Sequence, residues 1–276
     1  MLINNPNTIF LVKPSPKIEH QYIGYSQFYD QLSSLLKQYG HTVISIDVSD
    51  IWIRDFAPFF TDRGYIPLTY QPPYQHFDKS AKVQKECLAF FDKISVPLPL
   101  RFDGGNLVAN SSGIGIATRK PLELNKLSED QMNLVLHEVF DIQKMVWLPP
   151  EPYERTAHAD GIVQFLDDNT LCINAPNSEY LQKVHKLIQK QCPHLKLISL
   201  PYHPSDETTY GWYSANGIYV NFLQTSKVVI VPTYNLPTDE VALKIIQSHT
   251  SKPVVGLNAT TIAKYGGSIH CVTSGY

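Results

Sequence analysis

The 276-residue sequence carries little charge, and this shortage excludes a class of partners. Charged residues make up only 17% of the chain, and 23 Lys and Arg against 25 Asp and Glu give a formal net charge of −2. These basic residues are spread thinly and form no cluster that would indicate a nucleic-acid surface. A chain of this length can bury roughly 75% of the surface that its unfolded form exposes. A hydrophobic core alone can therefore hold the fold together.

Cysteines are also few and widely spaced, and long apolar runs are missing. The sequence has Cys87, Cys172, Cys192 and Cys271 but no Cys-x-x-Cys pair, so it indicates neither a structural zinc site nor a disulfide framework. Its first residues, MLINNPNTIFLVKPS, lack the basic segment and longer apolar run of a signal peptide. No segment approaches the ~20 apolar residues of a membrane span. We therefore expect a cytoplasmic protein with reduced thiols and with no membrane or nucleic-acid partner. A homo-oligomer is left open.

What the sequence does have is a repeated pattern of predicted helices and strands. Apolar residues recur at helical spacing in residues 25–39, 78–92, 128–140, 178–192 and 238–249. Ser128 with Gln131 predicts a capping box for the third helix, and Ser178 and Thr238 are predicted N-caps for the next two. A short apolar strand follows each helix, at residues 43–46, 96–98, 145–148, 197–200 and 254–255.

A polar segment follows each of these strands, near residues 52–60, 102–109, 158–166, 216–223 and 268–274. After the first four polar segments a second apolar strand is predicted, at residues 65–70, 114–118, 170–174 and 228–233. This long-period repetition predicts five ββαβ-like units in one α/β domain that spans residues 1–276. A doubly wound sheet is the alternative, but it has about one strand per helix, whereas about three are predicted here.

The fifth unit ends before its second apolar strand, and the apolar run Thr8 to Val12 has no partner of its own. If this run supplies the missing strand, the five units close into a ring with pseudo-fivefold symmetry and with the helices outside. The polar segments of all five units would then converge on the axis of the ring. We expect the functional site there.

Each polar segment contains candidate functional residues, and each also has an ordinary structural interpretation. An Arg–Asp pair such as Arg54 and Asp55 can be an ion pair, and a buried thiol such as Cys271 is commonly inert. The glycines of Asp103-Gly104-Gly105-Asn106 indicate either a turn or a close backbone approach. On a strand, the side chains of His158 and Asp160 would point the same way. This arrangement fits a functional pair and a structural hydrogen bond equally well.

The order of the motifs adds a resemblance to a known family. WIRDFAP at residues 52–58, DGGN at 103–106, HAD at 158–160, YVNF at 219–222 and GGSIHC at 266–271 resemble the motifs of agmatine deiminases and bacterial peptidylarginine deiminases. These enzymes belong to the guanidino-group-modifying superfamily, whose pentein fold, a five-bladed α/β propeller, has the ring of five units predicted above. The resemblance covers residues 50 to 273. Ala57 stands where the family usually has Gly, and Asp103 where it commonly has Glu.

The resemblance implies roles for individual residues. Cys271 would be the nucleophile, His158 the general acid and base, and Asp103 the group that orients the imidazole. Asp55 and Asp160 would hold the guanidinium through charge-assisted hydrogen bonds. The other predicted substrate-binding residues are Trp52, Arg54, Gly104, Gly105 and Asn106. Since a thiol ionises near pH ~8.5, a neighbouring His or a bound cation would have to favour the thiolate. No metal or cofactor is expected.

The substrate is less closely constrained than the chemistry. The loops at residues 149–157 and 201–215 contain Glu151, Glu154, Asp206 and Glu207 but only one Arg, Arg155, and no Lys. This acidic content favours a substrate with an amine, namely agmatine, converted to N-carbamoylputrescine and ammonia through a Cys thiouronium. The alternatives are a peptidyl- or free-arginine deiminase, an amidinotransferase and a non-catalytic pentein binding protein.

Overall fold

The computed structural model describes residues 7–61, 64–73, 75–91, 98–152 and 154–275. The helices are α1 (Pro16–Gln21), α2 (Tyr25–Gln38), α3 (Ile53–Phe56), α4 (Phe77–Leu88), α5 (Lys120–Asn125), α6 (Glu129–Phe140), α7 (Glu179–Gln191), α8 (Asp239–Gln247) and α9 (Thr260–Ala263). The first nine strands are β1 (Thr8–Val12), β2 (Thr42–Ile46), β3 (Phe59–Thr61), β4 (Gly64–Ile66), β5 (Leu68–Thr69), β6 (Leu98–Arg101), β7 (Val108–Ala109), β8 (Ile114–Thr118) and β9 (Lys144–Leu148). The others are β10 (Val163–Phe165), β11 (Thr170–Asn174), β12 (Lys196–Leu200), β13 (Thr208–Thr209), β14 (Trp212–Tyr213), β15 (Leu223–Gln224), β16 (Val229–Thr233), β17 (Val254–Asn258) and β18 (Ser274–Gly275).

The five predicted helices are present as α2, α4, α6, α7 and α8. The predicted capping box of α6 is confirmed, since Ser128 and Gln131 satisfy each other's backbone N–H groups. Ser178 caps α7 by accepting from the backbone N–H of Leu181. Thr238 occupies the predicted N-cap position of α8, but its side chain makes no capping bond, because its hydroxyl instead contacts the hydroxyl of Tyr219 at 2.7 Å. Within the described residues, no helix combines the length and apolar character that a bilayer span requires.

A parallel strand pair, joined by a helix, recurs along the chain. The pairs are β1 with β2, β5 with β6, β8 with β9, β11 with β12, and β16 with β17. Four of these five pairs are extended by an antiparallel strand, which lies beside the first strand of the pair. This added strand is β18 beside β1, β7 beside β8, β10 beside β11, and β15 beside β16. The apolar spacing thus predicted the repeat correctly. The strands of each parallel pair end at the same edge, and the polar segments begin beyond it.

The second unit departs from the predicted pattern. Residues 65–70 were expected to form one strand, but β4 ends at Ile66 and β5 begins at Leu68. Pro67 lies between them and has no N–H to give to a ladder, which explains the interruption. Its carbonyl still accepts from the N–H of Leu98 at 3.0 Å. Residues 96 and 97 of the predicted strand 96–98 lie outside the described residues.

The apolar run Thr8–Val12 is used as the sequence predicts. As β1 it pairs antiparallel with β18, where Ile9 faces Gly275, and parallel with β2, where Ile9 faces Val43. All five residues of β1 are buried. The sheet of the first unit therefore contains strands from both ends of the described chain, and the segment with Cys271 immediately precedes β18.

Candidate active site

Three polar segments leave the sheets as short turns and meet at one place. The first contains α3, the second a single 3-10 turn at Gly104–Asn106, and the third a 3-10 turn at Ala159–Gly161. The prediction that His158 and Asp160 point together from a strand is therefore wrong in its local structure. His158 has extended backbone angles just before the turn, and Asp160 lies within the turn. The two side chains nevertheless face the same group of residues.

His158 lies between two carboxylates. Its Nε2 is 3.1 Å from Oδ2 of Asp103, and its Nδ1 is 3.5 Å from Oδ1 of Asp55. Burial lowers the pKa of His158, but the carboxylates of Asp55, Asp103 and Asp160 outweigh burial and raise it to about 9. The imidazole is therefore protonated at neutral pH. Asp103 occupies the position expected of a residue that orients this ring.

Asp55 carries the opposite perturbation. Burial raises its pKa to about 7, the His158 imidazolium opposes that rise, and the nearby carboxylates of Asp103 and Asp160 add to it. Its Oδ1 accepts a hydrogen bond from the backbone N–H of Gly105 at 3.1 Å. An additional cation beside Asp55 would favour its ionised form.

The two glycines of the second segment allow the close approach on which this cluster depends. A Cβ on Gly104 would lie 2.0 Å from the backbone oxygen of Arg54. A Cβ on Gly105 would lie 2.7 Å from Oδ1 of Asp55, 2.8 Å from Nδ1 of His158 and 3.2 Å from Oδ2 of Asp160. Gly105 therefore marks the point where three predicted site residues meet.

Cys271 places its sulfur beside Asp160 and Asn221. Its Sγ is 3.7 Å from Oδ2 of Asp160 and 3.4 Å from Oδ1 of Asn221. Burial raises the pKa of the Cys271 thiol well above its usual value, and the carboxylates of Asp160 and Asp55 raise it further. In the protein alone, the surroundings of the sulfur therefore oppose the thiolate. A cation bound between the two carboxylates would reverse this effect.

Two residues at this site received no role from the sequence. Asn221 contacts the sulfur and also donates from Nδ2 to the backbone oxygen of Asp160 at 3.1 Å. The Nδ1 of His270 is 2.7 Å from Oδ2 of Asp160. Both belong to quoted motifs, YVNF and GGSIHC, but nothing in the spacing shows that their side chains reach a residue more than 60 positions away.

Arg54 and Asn106, both predicted to bind substrate, have other surroundings. Oδ1 of Asn106 accepts from the backbone N–H groups of Thr118 at 3.0 Å and Ala159 at 3.1 Å. This residue therefore joins two polar segments through their backbone. The Nε of Arg54 donates to the backbone oxygen of His270 at 3.4 Å, and Arg54 lines a cavity that does not include Cys271.

Two cavities meet at Cys271 and share His158, Gly266 and Gly267 as lining residues. One, the Glu151 cavity, has a volume of about 290 Å³ and is also lined by Glu151, Glu154, Asp160, Tyr202 and Asp206. The other, the Trp52 cavity, has a volume of about 420 Å³ and is also lined by Tyr22, Trp52, Asp55, Trp212 and Tyr265. The predicted position of Trp52 on the wall of the pocket agrees with this arrangement. Both cavities are large enough for part of a small substrate.

Glu151 is one of the carboxyl groups that line its cavity. Tyr202 donates to its Oε1 at 3.0 Å. Burial raises the pKa of Glu151 to about 7, although the hydrogen bond from Tyr202 lowers it and nearby Glu154 raises it. Arg155 is turned elsewhere, with its guanidinium 5.4 Å from the centre of the Trp212 ring. Within the described part of the chain, the Glu151 cavity has no Lys or Arg among its lining residues.

A match to a family model shows which protein family the chain belongs to. Residues 6–276 match the model of the Porphyromonas-type peptidyl-arginine deiminases. The chain belongs to this family. A curated Shewanella protein (strain W3-18-1) described as "Putative agmatine deiminase" is similar to this family member, with 24% identity over 281 residues, or 84% of this chain and 75% of the relative.

Solved structures show the same α/β fold. The agmatine deiminase of C. jejuni matches with a TM-score of 0.82 at 19% identity, over 98% of this chain and 92% of that one. The agmatine deiminase of Enterococcus faecalis matches with a TM-score of 0.80 at 18% identity, over the same shares of the two chains. The family member described here therefore shares their fold along nearly its whole length.

Proposed function

We propose that this protein is a deiminase that hydrolyses the guanidino group of agmatine to a ureido group, releasing N-carbamoylputrescine and ammonia. The observation that carries the proposal is the presence of carboxylates in the lining of both cavities that meet at Cys271. Asp160, 3.7 Å from the sulfur of Cys271, and Glu151 both line the Glu151 cavity, and Asp55 lines the Trp52 cavity. Agmatine has a cation at each end, which this arrangement matches.

The guanidinium would bind between Asp55 and Asp160. Each carboxylate can accept short charge-assisted hydrogen bonds from its N–H groups, which fixes the plane of the guanidinium. The positive charge stabilises the ionised forms of Asp55 and of the Cys271 thiol. Substrate binding therefore prepares the nucleophile, and the thiol remains protonated until the substrate is in place. Trp52 adds an aromatic wall, against which a cation is attracted.

The reaction would proceed through a covalent intermediate on Cys271. Once the substrate is bound, the thiol loses its proton to solvent. The thiolate then attacks the guanidinium carbon and forms a C–S bond, while the electrons of the C=N bond move to nitrogen. The His158 imidazolium gives its proton to the departing nitrogen, and the C–N bond breaks. Ammonia is released, and an S-alkylthiouronium remains on Cys271. The neutral imidazole then takes a proton from water as the water attacks the same carbon. The C–S bond breaks, the hydroxyl proton of the adduct passes to solvent, and the ureido product and the thiolate separate.

The amine of agmatine would lie near Glu151. A buried carboxyl that is only partly ionised becomes fully ionised when an ammonium group binds to it. Tyr202 holds this carboxyl in place through its hydroxyl. Free arginine has a carboxylate beside its amine, and the described lining of the Glu151 cavity has no Lys or Arg to receive it. This difference favours agmatine over arginine.

The roles that the sequence assigns to the site belong to this proposal, as does the arrangement of the whole chain. The sequential parallel pairs and the β18–β1–β2 sheet support five units in a closed ring, within a single catalytic domain. The absence of any cofactor requirement stays a prediction. So does a cytoplasmic location, for which the four free cysteines are suitable.

Ammonia release tests the proposal. We would incubate the protein with agmatine, free arginine and a blocked arginyl peptide, with the Cys271→Ala variant as the blank. Release from agmatine that depends on Cys271 is the expected result. Release from the peptide alone would identify a protein-modifying enzyme, and the absence of release from all three would contradict the proposed activity.

A second comparison tests the amine site. Glu151→Gln should raise KM for agmatine roughly tenfold or more, because a charged hydrogen bond contributes about 1.5–3 kcal/mol. It should change KM little for butylguanidine, which lacks the amine. Glu240→Gln, an exposed helix position, is the matched control. Equal effects of Glu151→Gln on both substrates would contradict this assignment.

A further inference from the structure

The residue that precedes the nucleophile lines a different cavity from the nucleophile itself. Cys271 lines the Glu151 and Trp52 cavities, whereas His270 lines a third cavity of about 640 Å³. We call this third space the Arg54 cavity; Arg54, Phe60, His137, Glu138, Gln164 and His270 are among its lining residues. Within the described residues, it shares no lining residue with the other two cavities.

His270 nevertheless contacts the site through Asp160. Its Nδ1 is 2.7 Å from Oδ2 of Asp160, and a carboxylate oxygen can only accept, so Nδ1 carries the hydrogen. The side chain of His270 is 12% exposed, and that of Asp160 is 2% exposed. In the described part of the chain, Nε2 of His270 makes no hydrogen bond. The imidazole therefore joins a buried carboxylate to the Arg54 cavity.

The oxygen that His270 holds is the one that faces the nucleophile. Oδ2 of Asp160 also lies 3.7 Å from Sγ of Cys271. When a guanidinium or amidinium donates an N–H to this oxygen, the carbon atom of the cation lies next to the sulfur of Cys271. If the Asp160 side chain turned away, the cation would lose its alignment for attack.

We propose that His270 is a positioning residue, whose Nδ1–H fixes Oδ2 of Asp160 in the orientation that receives the substrate cation beside Cys271. Its backbone is also fixed, since its N–H donates to the oxygen of Asn221 at 3.2 Å and its own oxygen accepts from Arg54 at 3.4 Å. This inference rests on the proposed function for the identity of the cation as a guanidinium or amidinium.

The charges around the pair agree with this role. Burial raises the pKa of Asp160, but His270, His158 and Arg54 outweigh burial and lower it, so the carboxylate stays ionised despite the nearby Asp55 carboxyl and Cys271 thiol. Burial and then Arg54 lower the pKa of His270, against the opposing effect of Asp160.

Two alkylating reagents separate this role from a general structural one. Chloroacetamidine is a cation that needs Asp160, and chloroacetamide is its uncharged analogue with the same leaving group. The rate of Cys271 alkylation by each would be followed by mass spectrometry in four proteins: the wild type, His270→Ala, His270→Asn and His137→Ala. His137 lines the same cavity and makes no contact with Asp160, which makes it the matched control.

His270→Ala should react roughly 10- to 100-fold more slowly with chloroacetamidine, since it loses a hydrogen bond to a charged group. Its rate with chloroacetamide should stay within about threefold of the wild type. His270→Asn should retain most of the chloroacetamidine rate, because its amide N–H can replace Nδ1. Imidazole added to His270→Ala should restore that rate with saturation by occupying the Arg54 cavity. His137→Ala should behave as the wild type.

A His270→Ala variant that keeps the wild-type preference for chloroacetamidine would overturn this inference alone. So would an equal loss of rate with both reagents that imidazole does not restore, since that result indicates only a disturbed fold. A wild-type protein without preference for chloroacetamidine would overturn the proposed function, and this inference with it.

Discussion

The sulfur of Cys271 lies 3.7 Å from a carboxylate oxygen of Asp160, the residue that would hold the substrate. The two groups disfavour each other's ionisation when nothing cationic is bound, because both forms are negative. A guanidinium placed between them is attracted to both. The same contact therefore raises the pKa of the thiol in the protein alone and, under the proposed function, would place a bound guanidinium where it favours the thiolate.

This relationship predicts how the thiol titrates. In the protein alone, alkylation of Cys271 by chloroacetamide should be slow at pH 7 and should still be rising above pH ~9, because burial and then Asp160 and Asp55 raise the pKa of the thiol. Asp160→Asn removes one negative neighbour and should move this titration to lower pH. Rates measured from pH 6 to 10 would test it, and an unchanged profile in Asp160→Asn would contradict the electrostatic cause.

The pH dependence of kcat/KM should be bell-shaped. Asp55 must be ionised to bind the cation, so activity falls as the pH drops through about 7. His158 must be protonated to assist the leaving nitrogen, so activity also falls as the pH rises through about 9. Because these groups interact, the two limbs describe the cluster as a whole.

Asp55→Asn gives the control for that profile. It should lower kcat/KM by a factor of roughly 100 or more, since a buried guanidinium loses an ionic partner, and it should remove the acid limb. Steady-state kinetics at fixed ionic strength would measure both effects. An acid limb that stays near 7 in this variant would assign it to another group.

Gly105→Ala should abolish most activity. The added Cβ would lie 2.7 Å from Oδ1 of Asp55 and 2.8 Å from Nδ1 of His158, so these side chains must move apart. Gly161→Ala is the matched control, because its Cβ would meet nothing within 4 Å. We expect a loss of roughly 100-fold or more in the first variant and a much smaller loss in the second. Comparable activities would show that the cluster tolerates displacement.

Asn106→Ala should act mainly on stability. It leaves the buried backbone N–H groups of Thr118 and Ala159 without their acceptor, at a cost of about 1–3 kcal/mol each. The free energy of unfolding should fall by about 2–6 kcal/mol in denaturant titration. If Asn106 instead bound substrate, as the sequence suggested, KM would change while the unfolding free energy stayed the same.

The sequence predicts the repeat well because helices and buried strands leave periodic apolar patterns. It does not predict the turns that hold His158 and Asp160, since a three-residue turn is too short for any period to show. Pro67 shows the same limit in a strand, where one residue divided the predicted run. The contact between His270 and Asp160 joins residues 110 positions apart, and only the packed units bring them together.

The position of β1 has a consequence for how the molecule comes apart. In an open array of repeats, each terminal repeat has one neighbour and can open by itself. Here Ile9 is paired with both Val43 and Gly275, so the first and last segments share one sheet and neither is a free end. Fraying at either terminus would loosen the backbone next to the nucleophile. Loss of activity on heating should therefore coincide with global unfolding.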